Sequence, residues 1–230
     1  MSMKPLEFDR RYGELDQVIG AYVGESADDD PDRPSRALQA YLRHTWHTRP
    51  WALSQAERQI REYARNPPGR LRLRIGEFYP VPDVGLPDSE IQGWFVVIAD
   101  HIKRSVEEGE VPSPSVMPQT HWEWQARFPE VAQLFGGWFS QDMPDEFVDH
   151  EAGLRDYATT VDRVLVARAV GELRELLALG FDESDHALAL AELGMEVDPP
   201  VSYTPGEWLA MVADRLGGFR AEYGPPGDEG

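Results

Sequence analysis

The residues best suited to chemistry in this sequence are carboxylates, which gather in two short segments of its second half. Two carboxylates can act as an acid–base pair only where their surroundings separate the two pKa values. A proline-interrupted segment such as QDMPDEFVDHE (141–151) rarely provides that, so a solvated loop and a partner-facing acidic patch are the two interpretations left open. We predict partner-binding acids at Asp142, Asp145, Glu146 and Asp149, with a second candidate patch at Asp182, Glu183 and Asp185.

Other residue types predict no catalytic or metal site. His44 and His47 lie three positions apart on a predicted helix, but no third ligand is near them in the sequence. The acidic loop at 28–32 lacks the central glycine and the final glutamate of an EF-hand. The sequence has no Cys, no phosphate-binding glycine loop and no serine-nucleophile motif. We therefore predict a non-enzyme without metal or cofactor; the enzyme alternative is a hydrolase of unfamiliar type, with a polar pocket and strongly perturbed pKa values.

The charge of the chain is strongly acidic and unevenly distributed. The formal net charge is −19 at pH 7. Residues 1–116 carry four more acidic than basic side chains, whereas residues 117–230 carry fifteen more. Such a chain is repelled by nucleic acid and by anionic membranes, and it attracts a basic partner protein. The alternative is that the acidic surplus only keeps the protein soluble.

The sequence shows no secretory or membrane-spanning pattern. Its first residues, MSMKPLEFDRR, contain no apolar signal region, and its longest apolar run, 94–99, is far too short to cross a bilayer. Together with the absence of Cys, these features predict a cytoplasmic protein that does not bind membranes.

The spacing of apolar residues predicts an all-α fold. In LVARAVGELRELLALG (165–180), apolar side chains recur at intervals of three and four, and Gly180 is placed to end the helix. The last helix of each half is expected to bury a tryptophan, Trp94 or Trp208, because each lies in an apolar helical stripe. The predicted helix N-caps are Asp32, Ser54 in a capping box with Glu57, and Thr204 in a capping box with Glu207.

A proline-rich segment divides the chain almost in half. EGEVPSPSVMPQT (108–120) contains three Pro and two Ser, a composition typical of linkers. We predict a first helical unit at 1–107 and a second at 121–230, each with four to five helices. Within the first, RLRLRIGEFY (70–79) alternates Arg with Leu and Ile and is interpreted as helix or irregular structure.

The two halves repeat one another in five short segments. LDQVIGAYV (15–23) aligns with VAQLFGGWF (131–139), and WFVVIADHI (94–102) aligns with WLAMVADRL (208–216). All five segments keep their order, and their offsets lie between 113 and 119. Order and spacing together predict that the two units arose by internal duplication. The aligned pairs include Gly20 with Gly136, Tyr22 with Trp138, Tyr41 with Tyr157, residues 60–62 with 173–175, Gly76 with Gly194, and Trp94 with Trp208.

Several motifs of the second half occur in the order found in one known family. FPEVAQLFGGWFSQDMPDEF (128–147) contains an apolar stretch followed by glycine, two aromatic residues, Gln141 and Asp142. LRELLALG (173–180), ELGMEV (192–197) and SYTPGEWLAMV (202–212) follow it. This half resembles the immunity proteins of contact-dependent growth inhibition systems. The first half resembles a diverged copy, in which Glu25 and Ser26 replace Gln141 and Asp142.

The resemblance implies a protein that acts by binding rather than by catalysis. Such proteins bind the toxic C-terminal domain of a cognate effector and neutralise it inside the cell that makes it. The toxin is often a nuclease and therefore basic, which agrees with the acidic charge of this chain. The alternative is a helical adaptor or regulatory protein, which would carry an exposed apolar groove for a peptide helix.

Overall fold

The protein is α-helical throughout the part that the structure describes. The structure is a computed structural model, and it describes residues 5–65 and 86–222. Eleven α-helices and no β-strand occur in these ranges, so the predicted all-α fold is confirmed. None of these helices is long and apolar enough to cross a membrane. The segment 70–79, interpreted from the sequence as helix or irregular structure, lies outside the described residues.

The chain divides into two compact units, Met1–Glu123 and Trp124–Gly230. The helices of the first unit are α1 (Pro5–Gly20), α2 (Arg36–Thr48), α3 (Pro50–Arg65) and α4 (Asp88–Glu108). The short helix α5 (His121–Arg127) contains the boundary. The helices of the second unit are α6 (Pro129–Trp138), α7 (Met143–Glu146), α8 (His150–Thr160), α9 (Arg163–Ala178), α10 (Glu183–Glu192) and α11 (Pro205–Glu222). Residues 109–120 contain no helix, and the bounds predicted from the sequence (1–107, 108–120 and 121–230) stay a prediction.

In the first unit, α3 is the central helix and packs chiefly against α4 and α1. The contact is strongly aromatic. Tyr63 of α3 meets Tyr12 edge-on at 5.4 Å between ring centroids, and it meets Phe95 of α4 at 5.9 Å. Trp94 is buried in this core, as predicted. Burying rings of this size contributes most of the hydrophobic stabilisation of a small helical unit.

In the second unit, α9 is the central helix and packs chiefly against α11 and α6. Its buried side chains recur at helical spacing, as the sequence predicts, and Gly180 follows the helix with a positive φ of 72°. Trp208 of α11 is buried and meets Phe139 edge-on at 5.8 Å. The burial predicted for both tryptophans is therefore confirmed.

The helix starts agree with only one of the three predicted caps. Thr204 and Glu207 form the predicted capping box, since the Thr204 Oγ1 accepts the Glu207 N–H at 3.3 Å and the Glu207 carboxylate accepts the Thr204 N–H at 2.9 Å. The Asp32 cap is wrong: the chain is still turning there, and Ser35 caps α2 by accepting the Leu38 N–H.

The capping box at Ser54 is also wrong. The helix α3 already begins at Pro50, which ends α2 and supplies a first helical residue that needs no N–H partner. Ser54 therefore lies inside the helix, one turn after its start.

Glu172 of α9 holds the beginning of α6 in place. Its Oε2 accepts the backbone N–H groups of Glu130 and Val131 at 2.9 and 3.0 Å. Both N–H groups lie in the first turn of α6, where no partner within the helix exists. Burial raises the pKa of the Glu172 carboxyl to about 7, against the lowering effect of the two N–H groups.

The raised pKa of Glu172 predicts a pH-dependent stability. An unfolded glutamate ionises near pH 4.5, so between about 4.5 and 7 the folded state keeps a proton that the unfolded chain loses. The free energy of unfolding therefore falls as pH rises through that window. Glu172→Gln keeps an oxygen acceptor and removes the charge. We expect the free energy of unfolding of this variant to exceed that of the wild type by about 1 kcal/mol at pH 8, because the partly exposed carboxyl feels only part of the burial effect. Near pH 4.5 the two free energies should be equal.

Gln59 of α3 allows the opposite substitution as a control. It is an uncharged side chain that makes the same kind of contact, since its Oε1 accepts the N–H groups of Glu14 and Leu15 at 2.9 Å each. Gln59→Glu should introduce a pH dependence of the same sign into the first unit. Urea unfolding curves at pH 4.5, 6 and 8 measure both variants. A Glu172→Gln curve that shifts with pH as the wild type does would contradict the assignment.

Candidate protein-binding surface

The first predicted acidic patch lies in and around the short helix α7. Asp142 precedes the helix, Asp145 and Glu146 lie in it, and all three are exposed. Their carboxylates have no hydrogen-bond or ion-pair partner among the described residues. Asp149 is also exposed, but its Oδ1 caps α8 by accepting the Ala152 N–H at 2.8 Å. The structure thus brings these four acids together and leaves three of them with carboxylates that are available to a partner.

A second loop, 193–204, joins the first patch through backbone contacts. The carbonyl oxygen of Phe139 accepts the N–H groups of Glu196 and Val197 at 2.9 and 3.3 Å. In return, the Glu196 Oε2 accepts the N–H of Gln141 at 2.9 Å. These bonds place Glu196 and Asp198, both exposed, beside the acids of α7.

Two glycines make this approach possible. A Cβ on Gly194 would lie 3.0 Å from the Gly136 Cα, closer than side-chain atoms normally come to a backbone. Gly194 also has a φ of 91°, which residues with a Cβ rarely adopt. The glycine of the FGGWF segment and the glycine of the ELGMEV segment are therefore in contact, 58 positions apart in the chain.

His150 supports the same end of the unit from within. Its Nε2 lies 3.0 Å from the carbonyl oxygen of Asp198. Its ring packs against both Phe139 at 5.8 Å and Trp208 at 5.2 Å, and Tyr203 packs against the same tryptophan at 6.1 Å. The two loops are thus fixed on an aromatic base.

Apolar side chains are exposed on these two loops. Val148 is 92% exposed, Val201 is fully exposed, and Tyr203 is 39% exposed. Single exposed apolar residues are ordinary, but apolar side chains on adjoining loops bordered by charges are typical of protein interfaces. We name this surface the acidic end and define it by Asp142, Asp145, Glu146, Val148, Asp149, Glu196, Asp198, Val201 and Tyr203.

The second predicted patch serves mainly to cap helices. Asp182 and Asp185 form a capping box at the start of α10. The backbone N–H of Asp185 and the other donors around Asp182 lower the pKa of the Asp182 carboxyl. The Glu183 Oε2 accepts the N–H of Gly206, the second residue of α11, at 2.9 Å. All three carboxylates of this patch have partners, whereas those of Asp142, Asp145 and Glu146 have none in the described ranges, so the acidic end is the better candidate for binding.

The sequence did not predict half of the acidic end. Glu196, Asp198 and Val201 lie about 50 positions from the α7 acids, and Val148 lies within the predicted segment without being one of its carboxylates. The one sequence feature that links these residues to the α7 acids is that the 192–197 motif and the 128–147 motif both belong to the ordered set of motifs that resembles the immunity proteins. Sequence spacing alone does not say that they meet.

The remaining candidates from the sequence do not converge on a site. No group of three or more His, Asp or Glu residues in the described ranges could hold a metal ion, and His44 packs edge-on against Trp122 at 5.5 Å. One depression of about 300 Å³ in the first unit has a mixed lining, with apolar residues such as Leu42 and Val111 beside polar ones such as His101 and Arg104. A second, of about 410 Å³, is lined only by charged residues and one serine. Glu172 lines neither of these two depressions.

Comparison with protein families identifies the unit that carries the acidic end. Residues 127–216 match the CdiI immunity protein family. Searches of curated proteins and of solved structures found no match. The resemblance seen in the sequence of the second half is thereby confirmed.

The immunity-family segment includes every residue of the acidic end and the aromatic base beneath it. Its opening Gly–aromatic motif and its Leu–Gly motif are the parts that meet at Gly136 and Gly194. The contact gives a physical reason for glycine in both motifs, because any side chain at Gly194 would push the 193–204 loop away from α6.

Gly194→Ala should therefore destabilise the second unit. The positive φ costs an alanine about 1–2 kcal/mol, and relief of the contact with Gly136 raises the total to about 2–4 kcal/mol. Gly137→Ala is the matched control, because Gly137 lies in α6 with open space around its Cα. There alanine should stabilise by about 0.5–1 kcal/mol. Denaturant unfolding followed by circular dichroism measures both, and equal effects from the two variants would contradict the contact.

Proposed function

We propose that this protein is an immunity protein of a contact-dependent growth inhibition system, which binds the toxic C-terminal domain of its cognate effector. The observation that carries the proposal is the family match over residues 127–216, the segment that builds the acidic end. Immunity by binding requires an exposed, specific surface and no catalytic group. The acidic end supplies such a surface from two loops on a rigid aromatic base.

The chemistry of the acidic end favours a basic partner. The acidic end combines six exposed carboxylates, two of which also accept backbone N–H groups, with three exposed apolar side chains. A partner with a complementary face would bring both lysine or arginine side chains and an apolar contact. A toxin that acts on nucleic acid has such a face, because it must bind phosphates. The mechanism that follows is occlusion: the acidic end covers the basic site of the toxin. The cell that makes the toxin would hold the complex in its cytoplasm.

The charge of the whole second unit supports the same partner. Residues 117–230 carry fifteen more acidic than basic side chains, and the summed field of such a unit accelerates the approach of a basic protein. This field also repels nucleic acid, so the immunity protein would not compete for the substrate of the toxin. It would act only on the toxin itself.

The direct test is rescue of growth. The toxic domain of the protein encoded immediately upstream is expressed with and without this chain, and a tagged form of the chain is used to recover the complex. The proposal predicts that cells survive only with the chain and that the two proteins are recovered together. Survival without any complex would point to a different mechanism, and continued toxicity despite stable expression of the chain would refute the proposal.

The electrostatic step predicts a defined effect of charge reversal at the acidic end. Asp145→Lys changes the local charge by two, which at about 10 Å in water is worth ~0.8 kcal/mol against one partner charge, or about fourfold in association rate. Glu146→Lys should act similarly. Both effects should shrink as salt is raised from about 0.02 to 0.5 M, while the dissociation rate changes less.

Asp28→Lys in the first unit is the matched control. Asp28 is exposed, and its one ion pair in the described ranges is a long one with Arg33 at 4.0 Å. Asp29 is unsuitable because its carboxylate is engaged inside the unit. Surface plasmon resonance with the toxin domain measures the rates. Equal slowing by Asp28→Lys, or a wild-type rate insensitive to salt, would assign the acidic surplus to solubility.

A further inference from the structure

The same side-chain brace occurs once in each unit. In the second unit, Glu172 of α9 accepts two successive N–H groups at 130 and 131. In the first unit, Gln59 of α3 accepts two successive N–H groups at 14 and 15. The offsets between these pairs are 113 and 116, the values at which the sequence segments align. A long-range contact that repeats at both offsets is an observation independent of the alignment.

A second pair of contacts repeats at the same offsets. The Arg11 Nε donates to the Glu62 Oε1 at 3.0 Å, and the Arg127 Nε donates to the Glu175 Oε1 at 3.0 Å. Each guanidinium also lies over the ring of the next residue, at 5.4 Å for Tyr12 and 5.2 Å for Phe128. Those two aromatic residues both have a φ of −128° and both interrupt regular helix.

The packing around these contacts corresponds as well. Helix α3 packs on α4 and α1 as α9 packs on α11 and α6. Tyr41 and Tyr157, aligned in the sequence, are both fully buried, and the hydroxyl of each lacks a hydrogen-bond partner in the described ranges. Trp94 and Trp208 are buried in the corresponding helices.

The two units differ in the loop that follows the Gly–aromatic motif: its aspartate is hydrogen-bonded inside the first unit and exposed in the second. In the first unit, Asp29 lies inside: its Oδ2 accepts the Tyr22 hydroxyl at 2.8 Å and the Trp94 Nε1–H at 3.0 Å. Its Oδ1 accepts the Ser35 N–H at 2.7 Å. The loop is held further by His101, whose Nε2 lies 2.7 Å from the Asp30 carbonyl oxygen.

At the offset of 116, Asp145 is the counterpart of Asp29. Its carboxylate is exposed and has no partner in the described ranges. Correspondingly, the buried Nε1–H of Trp208 has no acceptor there, whereas that of Trp94 is satisfied by Asp29. The same framework therefore carries an inward-facing acid in one unit and an outward-facing acid in the other.

We propose that the first unit is a second copy of the immunity-family fold. In this copy, the loop that follows the Gly–aromatic motif uses Asp29 for hydrogen bonds inside the unit rather than for binding a partner. The chain then has one toxin-binding surface, which lies on the second unit. The binding part of this inference rests on the function proposed above. It predicts that one chain binds one toxin molecule although it contains two copies of the fold. It also predicts that aligned aspartates have opposite roles, structural at 29 and partner-binding at 145.

The test compares Asp29→Asn with Asp145→Asn in the full chain. Asp29→Asn should lower the melting temperature of the first unit by about 5 °C or more, because three hydrogen bonds lose a charged acceptor. It should leave the affinity for the upstream-encoded toxin domain within twofold of the wild type. Asp145→Asn should leave melting unchanged and slow association about twofold at low salt, as expected for one charge. Native mass spectrometry of the wild-type complex should show one toxin per chain.

Each outcome bears on one part of the inference. Two toxins per chain, or weaker binding by a folded Asp29→Asn protein, would overturn the single surface while leaving the immunity function in place. Unchanged melting of Asp29→Asn would overturn the internal brace. If the wild-type chain binds no toxin, the proposed function fails, and the melting temperatures of the two variants still decide whether the aligned aspartates differ.

Discussion

Replacing Trp208 with alanine should lower the free energy of unfolding of the second unit by about 3–5 kcal/mol. The side chain is 1% exposed and packs against Phe139, His150 and Tyr203 at 5.2–6.1 Å. Alanine would leave a cavity directly beneath the acidic end. The loss therefore combines the transfer energy of the indole with an unfilled cavity, and it should also reduce toxin binding at temperatures where the wild type still binds.

Trp51→Ala is the matched control for this substitution. Trp51 lies at the start of α3 and is 64% exposed, so its removal should change stability by no more than about 0.5 kcal/mol. Urea unfolding followed by far-ultraviolet circular dichroism measures both variants without relying on tryptophan fluorescence. Comparable losses for the two, or a loss below 1 kcal/mol for Trp208→Ala, would mean that Trp208 is not a core residue.

Breaking the buried ion pair of the first unit should have an effect of similar size. The Arg43 Nε and Nη2 donate to the two carboxylate oxygens of Glu123 at 2.7 and 2.8 Å, and both side chains are less than 10% exposed. Glu123 also accepts the Gln119 N–H at 2.8 Å. Glu123→Ala would leave a guanidinium buried without its counter-charge, which costs about 3–5 kcal/mol.

A double substitution tests whether this cost comes from the uncompensated buried charge or from the loss of the ion pair itself. If the loss comes from the uncompensated charge, Arg43→Met combined with Glu123→Leu should recover most of it, because no charge then remains buried. Glu107→Ala, which removes an exposed pair with Lys103 at 3.7 Å, is the control and should cost 0–1 kcal/mol. A Glu123→Ala protein as stable as the wild type would show that water reaches Arg43.

The sequence allowed good prediction wherever the signal was local. The helical spacing in 165–180, the positive φ of Gly180 and the capping box of Thr204 with Glu207 all depend on residues within one or two turns. The two wrong caps, at Asp32 and Ser54, show the limit of the same rule. Each satisfied a local pattern, but a neighbouring serine or proline began the helix elsewhere.

Sequence alone was enough to predict the all-α class, the buried tryptophans, the acidic character of the second half and its resemblance to one family. These follow from composition, periodicity and ordered motifs, which a single chain displays directly. The carboxylates that remain available to a partner can be recognised only in the folded protein. Asp29 and Asp145 are the same residue type, 116 positions apart in the chain, yet one is surrounded by donors and the other faces solvent. Which donor meets which acceptor depends on how helices and loops distant in the chain pack together. Local propensity carries no information about that packing.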